Sequence, residues 1–281
     1  MANDDGLRAR GLGLRYAGGA PIVADLDVTI APRRFTAIVG PNGCGKSTLL
    51  KALSRILRPT HGDVLLDGRD IHAHAPKAFA RRVGFLPQSP VAPDGITVEE
   101  LVARGRYPHQ SLFQWSSADD RAAVRQAMAR TDVASLAHRR VAELSGGQRQ
   151  RVWIAMALAQ QTGILLLDEP TTYLDLAHQI DVLELCYALN TRHGTTIVAV
   201  LHDLNEACRY ADEMIVMKAG HIVAQGDPCA VVTPAVIRDA FGLDVQVIGD
   251  PVTGTPLVLP LRAGRRRSTH ARVPQPACAG R

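Results

Sequence analysis

Eight residues constrain this chain more than any other stretch: Gly40-Pro41-Asn42-Gly43-Cys44-Gly45-Lys46-Ser47. Glycine, four residues, then Gly-Lys-Ser puts a permissive turn, an ammonium and a hydroxyl into one short loop. The glycines let successive backbone N–H groups turn inward and cradle a phosphate. Lys46 then reaches the terminal phosphates, Ser47 offers an oxygen to Mg²⁺, and Thr48 follows in the first helical turn. The flanks agree. Phe35-Thr36-Ala37-Ile38-Val39 is a short apolar run and reads as a buried strand entering the turn. Beyond it Leu49, Leu50, Leu53, Ile56 and Leu57 recur at helical spacing, with Pro59 past the end. A helix starting near Lys46 aims its positive N-terminus at the bound phosphates. The segment predicts a nucleoside-triphosphate site in an α/β fold.

An acidic counterpart lies downstream. Ile164-Leu165-Leu166-Leu167 is a buried strand that ends in Asp168 and Glu169. In isolation two acids at a strand end are an ordinary solvated pair. Behind a phosphate loop they acquire distinct roles, Asp168 holding Mg²⁺ and Glu169 polarising the attacking water as general base. His202 follows the apolar run 196–201, at the strand end where ligands bind in open α/β sheets, and is placed to bond the γ-phosphate or the water. Runs 63–68 and 83–86 read as further strands. The region 98–137 reads as helical, broken by a loop over 106–110. Strands alternating with helices predict a largely parallel sheet covered on both faces.

Bulk properties narrow the function classes. With only 4% aromatic residues, the core is expected to be Leu, Val, Ile and Ala. The formal charge of +5 suggests nucleic acid, but the arginines at 262, 265, 266, 267, 272 and 281 more than account for it, in a stretch without acids or aromatics. That composition reads as a solvated, disordered tail, and no nucleic acid is expected as partner. The acidic start, Met1 to Gly6, carries no apolar stretch, so no secretion signal is expected. No apolar run approaches the roughly 18 residues of a membrane span. The five cysteines (44, 186, 208, 229, 278) are scattered and read as free thiols.

Leu144-Ser145-Gly146-Gly147-Gln148 matches the LSGGQ signature of ATP-binding-cassette (ABC) ATPases, about 20 residues before Asp168. A chance match at five positions is on the order of one in several thousand for a chain of this length. Gln88 after an apolar strand resembles the family's Q-loop, a catalytic and Mg²⁺-linked position. Tyr173-Leu174-Asp175 resembles the D-loop, although Ala or Gly is commoner near Tyr173. Tyr16, about 30 residues before Lys46, resembles the adenine-stacking aromatic. The resemblance implies an α/β fold with a P-loop NTPase (RecA-like) core, a helical signature subdomain and an antiparallel β edge. It implies an ATPase domain over 7–261, with the core at about 7–90 and 158–230, the helical subdomain at about 91–157 and an extension at about 231–261. The 262–281 segment is then the tail.

The resemblance also implies the mechanics. Two copies face each other head to tail, and Ser145, Gly146, Gly147, Gln148 and Asp175 of one touch ATP on the other's phosphate loop. Transmembrane permease subunits and, indirectly, an extracytoplasmic binding protein complete a machine on the cytoplasmic face of the membrane, with this chain peripheral. Residues 103–110, 169–179 and 250–258 resemble importer ATPases for ferric siderophores, whose sister groups serve haem and vitamin B12. A non-transport ABC ATPase is the competing reading. Only one phosphate loop and one signature occur, and no heptad run, which disfavours the translation and repair types. Cys44 departs from the usual Ala or Ser. Either size alone matters there, or helix N-terminus and Lys46 lower its pKa and make it redox-sensitive.

Overall fold

A computed structural model describes residues 6–110 and 117–261. The acidic start and the arginine-rich tail fall outside the described residues. In chain order, β1 (Leu7–Leu14), β2 (Val23–Ile30) and β3 (Phe35–Val39) lead into helix α1 (Lys46–Leu53). Next come β4 (His61–Leu66), β5 (Arg69–Asp70), α2 (Pro76–Ala80) and β6 (Val83–Leu86). Helices α3 (Val98–Ala103), α4 (Ala118–Arg130) and α5 (Gly146–Ala159) interrupt the alternation. It resumes with β7 (Ile164–Asp168), α6 (Leu176–His193), β8 (Thr196–Val200) and α7 (Leu204–Tyr210). The described chain closes with β9 (Glu213–Lys218), β10 (His221–Gly226), α8 (Pro228–Val231), α9 (Pro234–Phe241), β11 (Val245–Gly249) and β12 (Pro256–Pro260).

The main sheet has six strands in the order β10-β9-β3-β8-β7-β6. It is parallel from β9 to β6, and β10 pairs antiparallel on one edge. Every residue of β3, β7 and β8 is buried, as a parallel sheet covered on both faces requires. Because side chains alternate along a strand, these runs feed two separate cores. Phe35, Ala37, Val39, Leu165, Leu167, Ile197 and Ala199 join one, with α5 and α6. Ile38, Leu166, Val198 and Val200 join the other, with Leu49 and Leu50 of α1. A second sheet, β2-β1-β4-β5, is antiparallel and supplies β1 and β2 to that α1 core.

Helices α3, α4 and α5 pack on one another, and α5 also meets β6 and α6. The expected loop over 106–110 is corrected to a 3₁₀ turn, Arg104–His109. Pro108 has no N–H for an α-helix to use. Arg106 is buried there, with Nε 2.8 Å from Asp120 Oδ1 and a guanidinium N–H 2.7 Å from the Ala159 carbonyl. The cysteines also need correcting. Cys44, Cys186 and Cys208 are free and buried, but Cys229 is disulfide-bonded.

Candidate active site

Strand β3 delivers the glycine loop to the carboxyl edge of the main sheet. Gly40 has φ +153°, and a Cβ there would sit 2.2 Å from the Met217 carbonyl oxygen, so no side chain fits. Gly45, at φ 105°, is the N-cap of α1 and supplies no side-chain cap. The first N–H groups of α1 therefore have no side-chain partner at its N-terminus, an arrangement suited to an anion. Lys46 is only 5% exposed, and its ammonium donates to the carbonyls of Gly40 at 2.8 Å and Pro41 at 3.0 Å.

Three neighbouring strands, β6, β7 and β8, bring the acidic cluster to the same edge. Asp168 ends β7, and Ser47 Oγ donates to its Oδ1 at 2.7 Å. Burial pushes the Asp168 carboxyl above its ordinary range, against the pull of the Ser47 bond and with a further push from Glu169. Hydroxyl and carboxylate together form an oxygen-only pair, the donor chemistry of a hard cation. Among the described residues no group of three or more His, Cys, Asp or Glu could hold a metal. A cation that keeps waters and shares a ligand's phosphates needs only one or two protein oxygens.

Glu169 adopts φ 51°, in the left-handed region that costs a non-glycine residue about 1 kcal/mol or more. Its Oε2 is the meeting point of the site. It accepts from Gln88 Nε2 and from Thr172 Oγ1 at 3.1 Å, and lies 2.8 Å from His202 Nε2. Gln88 lies just beyond β6 and His202 just beyond β8. A cleft of about 470 Å³ opens over these groups, lined by Ile22, Asn42, Gly43, Gly45, Lys46, Ser47, Thr48, Gln88, Glu169, Thr172, Tyr173 and His202.

Not every expected residue meets there. Tyr16 is half-exposed outside the lining, with Lys51 Nζ 5.8 Å from its ring centroid and 3.4 Å from its hydroxyl. Ser145 to Gln148 and Asp175 are also absent from the cleft. Ser145 caps α5 in a reciprocal box with Gln148, and Asp175 caps α6. Cys44 is buried. Burial pushes its thiol up from the ordinary value, outweighing the downward pull of Lys46, which corrects the lowered-pKa reading. Sequence reasoning missed Thr172 and Ile22, and named Tyr173 only as part of the D-loop resemblance. Thr172 became visible only once the turn after β7 placed it on Glu169, and no spacing rule marks it.

The ABC transporter family matches residues 23–172. Over 255 residues the chain is 56% identical to the ferric enterobactin transport ATP-binding protein of Escherichia coli K12, covering 91% of this chain and 94% of the relative. This chain belongs to the ABC transporter family. It is 49% identical to the iron(3+)-hydroxamate import ATP-binding protein of Bacillus subtilis, across 88% and 92% of the two chains. Among solved structures, a chain described as a metal-chelate type ABC transporter in an inward-facing conformation superposes with TM-score 0.79 at 29% identity, over 92% of this chain and 98% of that one. A dimeric ATP-binding cassette in a post-hydrolysis state with ADP and Pi gives TM-score 0.69 at 26% identity, over 79% and 98%. The fold is that of an ABC cassette, with a P-loop NTPase core, and this ABC cassette is an ATPase.

Proposed function

We propose that this chain binds and hydrolyses Mg²⁺–ATP to drive an importer of ferric siderophores. One observation carries the chemistry: Lys46, Ser47 and the Glu169 cluster border a single cleft, and Asp168 is tied to it through the Ser47 hydroxyl. ATP phosphates replace the carbonyls of Gly40 and Pro41 as partners of Lys46, and the loop N–H groups and α1 N-terminus surround them. Ser47 and Asp168 would hold Mg²⁺, with the Gln88 amide oxygen as a further candidate ligand, and the ion would supply charge neutralisation at the phosphates. Glu169 takes the proton as water attacks the γ-phosphorus and the bond to the ADP oxygen breaks. Gln88, Thr172 and His202 hold Glu169 in place for that transfer, and Tyr16 stacks the adenine.

The Ser145–Gln148 segment does not reach its own cleft, which supports two copies closing head to tail, each lending that segment and Asp175 to the other's ATP. Closure on ATP and reopening after hydrolysis then shift a two-state population. Permease subunits complete the importer at the cytoplasmic membrane face, this chain being peripheral, and a binding protein delivers cargo outside. The siderophore assignment rests on degree of likeness. Five relatives named for ferric enterobactin, achromobactin, petrobactin, siderophore or iron(3+)-hydroxamate transport are 49–56% identical, whereas a cobalamin import ATP-binding protein of Halobacterium salinarum is 44% and a second petrobactin import protein of Bacillus anthracis 41% identical. The test is uptake of labelled ferric siderophores, haem and cobalamin by cells with and without the gene. Loss of siderophore uptake alone supports the assignment; loss of cobalamin or haem uptake instead overturns it.

A further inference from the structure

Away from the cleft, two successive glycines press against the start of α6. A Cβ built on Gly146 would sit 3.5 Å from Leu174 Cδ2. On Gly147 it would lie 2.0 Å from Cδ2 and 2.8 Å from Nε2 of His178, closer than real contacts allow. The imidazole thus fills the space that a side chain at 147 would need. Its other nitrogen is held too. His178 Nδ1 lies 2.6 Å from Asp175 Oδ1, which also accepts the His178 backbone N–H at 3.0 Å. Those bonds, the backbone one foremost, hold the Asp175 carboxyl below its ordinary range. An ionised carboxylate only accepts, so Nδ1 carries the proton and the tautomer is set.

We propose that His178 is a positioning residue that locks the Ser145–Gln148 segment to Asp175, so that both meet the other copy's nucleotide as one rigid piece. The inference rests on the two-copy reading above. Its physical basis is entropy. Consecutive glycines have more backbone freedom to lose than any other pair, and they lie at the start of α5, whose first N–H groups must face a ligand. A ring packed on Gly147 removes that freedom before the nucleotide arrives, which is how preorganisation strengthens binding. His178, Gly147 and Asp175 are all absent from the lining of the chain's own phosphate cleft, so nucleotide capture there is independent of the lock.

The test uses the full chain with Glu169→Gln, which is expected to hold the closed ATP-bound dimer. Sedimentation reads the ATP concentration giving half-maximal dimer, and a fluorescent ATP analogue reads nucleotide affinity of the monomer. Three substitutions are compared, with thermal melts as a check on folding. His178→Ala is expected to raise the half-maximal ATP concentration about tenfold, the scale of one lost charge-assisted hydrogen bond, without changing monomer affinity. His178→Asn puts an N–H donor close to the place of Nδ1 and recovers most of the loss. His178→Gln puts it one carbon too far and does not. Dimerisation unchanged in His178→Ala, or an equal defect in Asn and Gln variants, overturns the lock and leaves the two-copy reading intact. A Glu169→Gln chain that stays monomeric in ATP overturns the two-copy reading, and the lock with it.

Discussion

At Glu169 a single carboxylate oxygen receives Gln88, Thr172 and His202, and the residue holds a left-handed backbone to reach them. An amide in its place keeps the size but cannot take a proton from water. Glu169→Gln is therefore expected to lower phosphate release by a factor of about 10²–10⁴ while leaving ATP affinity near the parent's. Turnover at the parental rate would remove Glu169 from the role of base. Lys46→Ala acts on binding instead. It deletes an ammonium that makes two bonds in a nearly dry setting, and calorimetry should record roughly a 10- to 100-fold loss of ATP affinity. Cys44 separates two ideas about the same loop. Because burial raises its thiol pKa, little thiolate forms near neutrality, so mild peroxide should affect the parent and Cys44→Ser alike. Activity lost by the parent but kept by the serine variant would restore a redox role.

Among the elements, the β11–β12 hairpin is fastened to α7, the helix that begins two residues after His202. Asn205 accepts from the Val258 N–H at 2.7 Å and donates back to its carbonyl at 3.4 Å. Arg209 bonds Asp250 at 2.8 Å. That bond, with backbone N–H groups of Val252 and Thr253, holds the Asp250 carboxyl down at about 2 against an ordinary 3.8. A depressed carboxylate stabilises the fold above its unfolded value and loses that contribution as pH falls through the folded one. The gap in melting temperature between parent and Asp250→Asn should be full at neutral pH and shrink as pH drops through 3.8 toward 2. A gap independent of pH would mean that packing, not charge, fastens the hairpin. None of this was legible beforehand, because Asn205 and Val258 meet across a separation of 53 residues. Strands β3, β6 and β7 were legible to the residue, since parallel strands buried along all or most of their length are unbroken apolar runs bounded by turns. The half-buried β1, Leu-Arg-Ala-Arg at its start, carried only a short alternation that two glycines cut off.

At the scale of the whole molecule, the phosphate loop, acidic pair and His202 could be read in sequence because each follows a buried strand directly. What joins them, Thr172 and the three-way contact on Glu169, depends on strand order in space. The surface around Arg104–His109 depends on tertiary contact too. Residues 106–110 were expected as a loop, and Arg104–His109 is instead a 3₁₀ turn tied to both neighbouring layers. Arg81 Nε bonds the Pro108 carbonyl at 2.9 Å from the α2 side, and His109 Nε2 lies 2.8 Å from the Gln160 carbonyl at the end of α5. Tyr107 stands on this platform 68% exposed, its ring flanked by Lys77 Nζ at 5.2 Å. Beside it a cleft of about 450 Å³ runs along Pro93, Asp94, Gly95, Ile96, Glu100 and Arg104. Among the described residues no helix is long and apolar enough to cross a membrane; the passage itself belongs to the permease chains proposed above. A rigid, exposed aromatic beside a groove is suited to a short helix from such a chain, because little entropy remains to be lost on docking. Tyr107→Ala and Arg104→Glu, both on the exposed side, are expected to reduce co-purification with the permease several-fold while ATP affinity of the isolated chain stays at the parental value. Retention of full co-purification in the double variant would place the permease contact on a different face of the cassette.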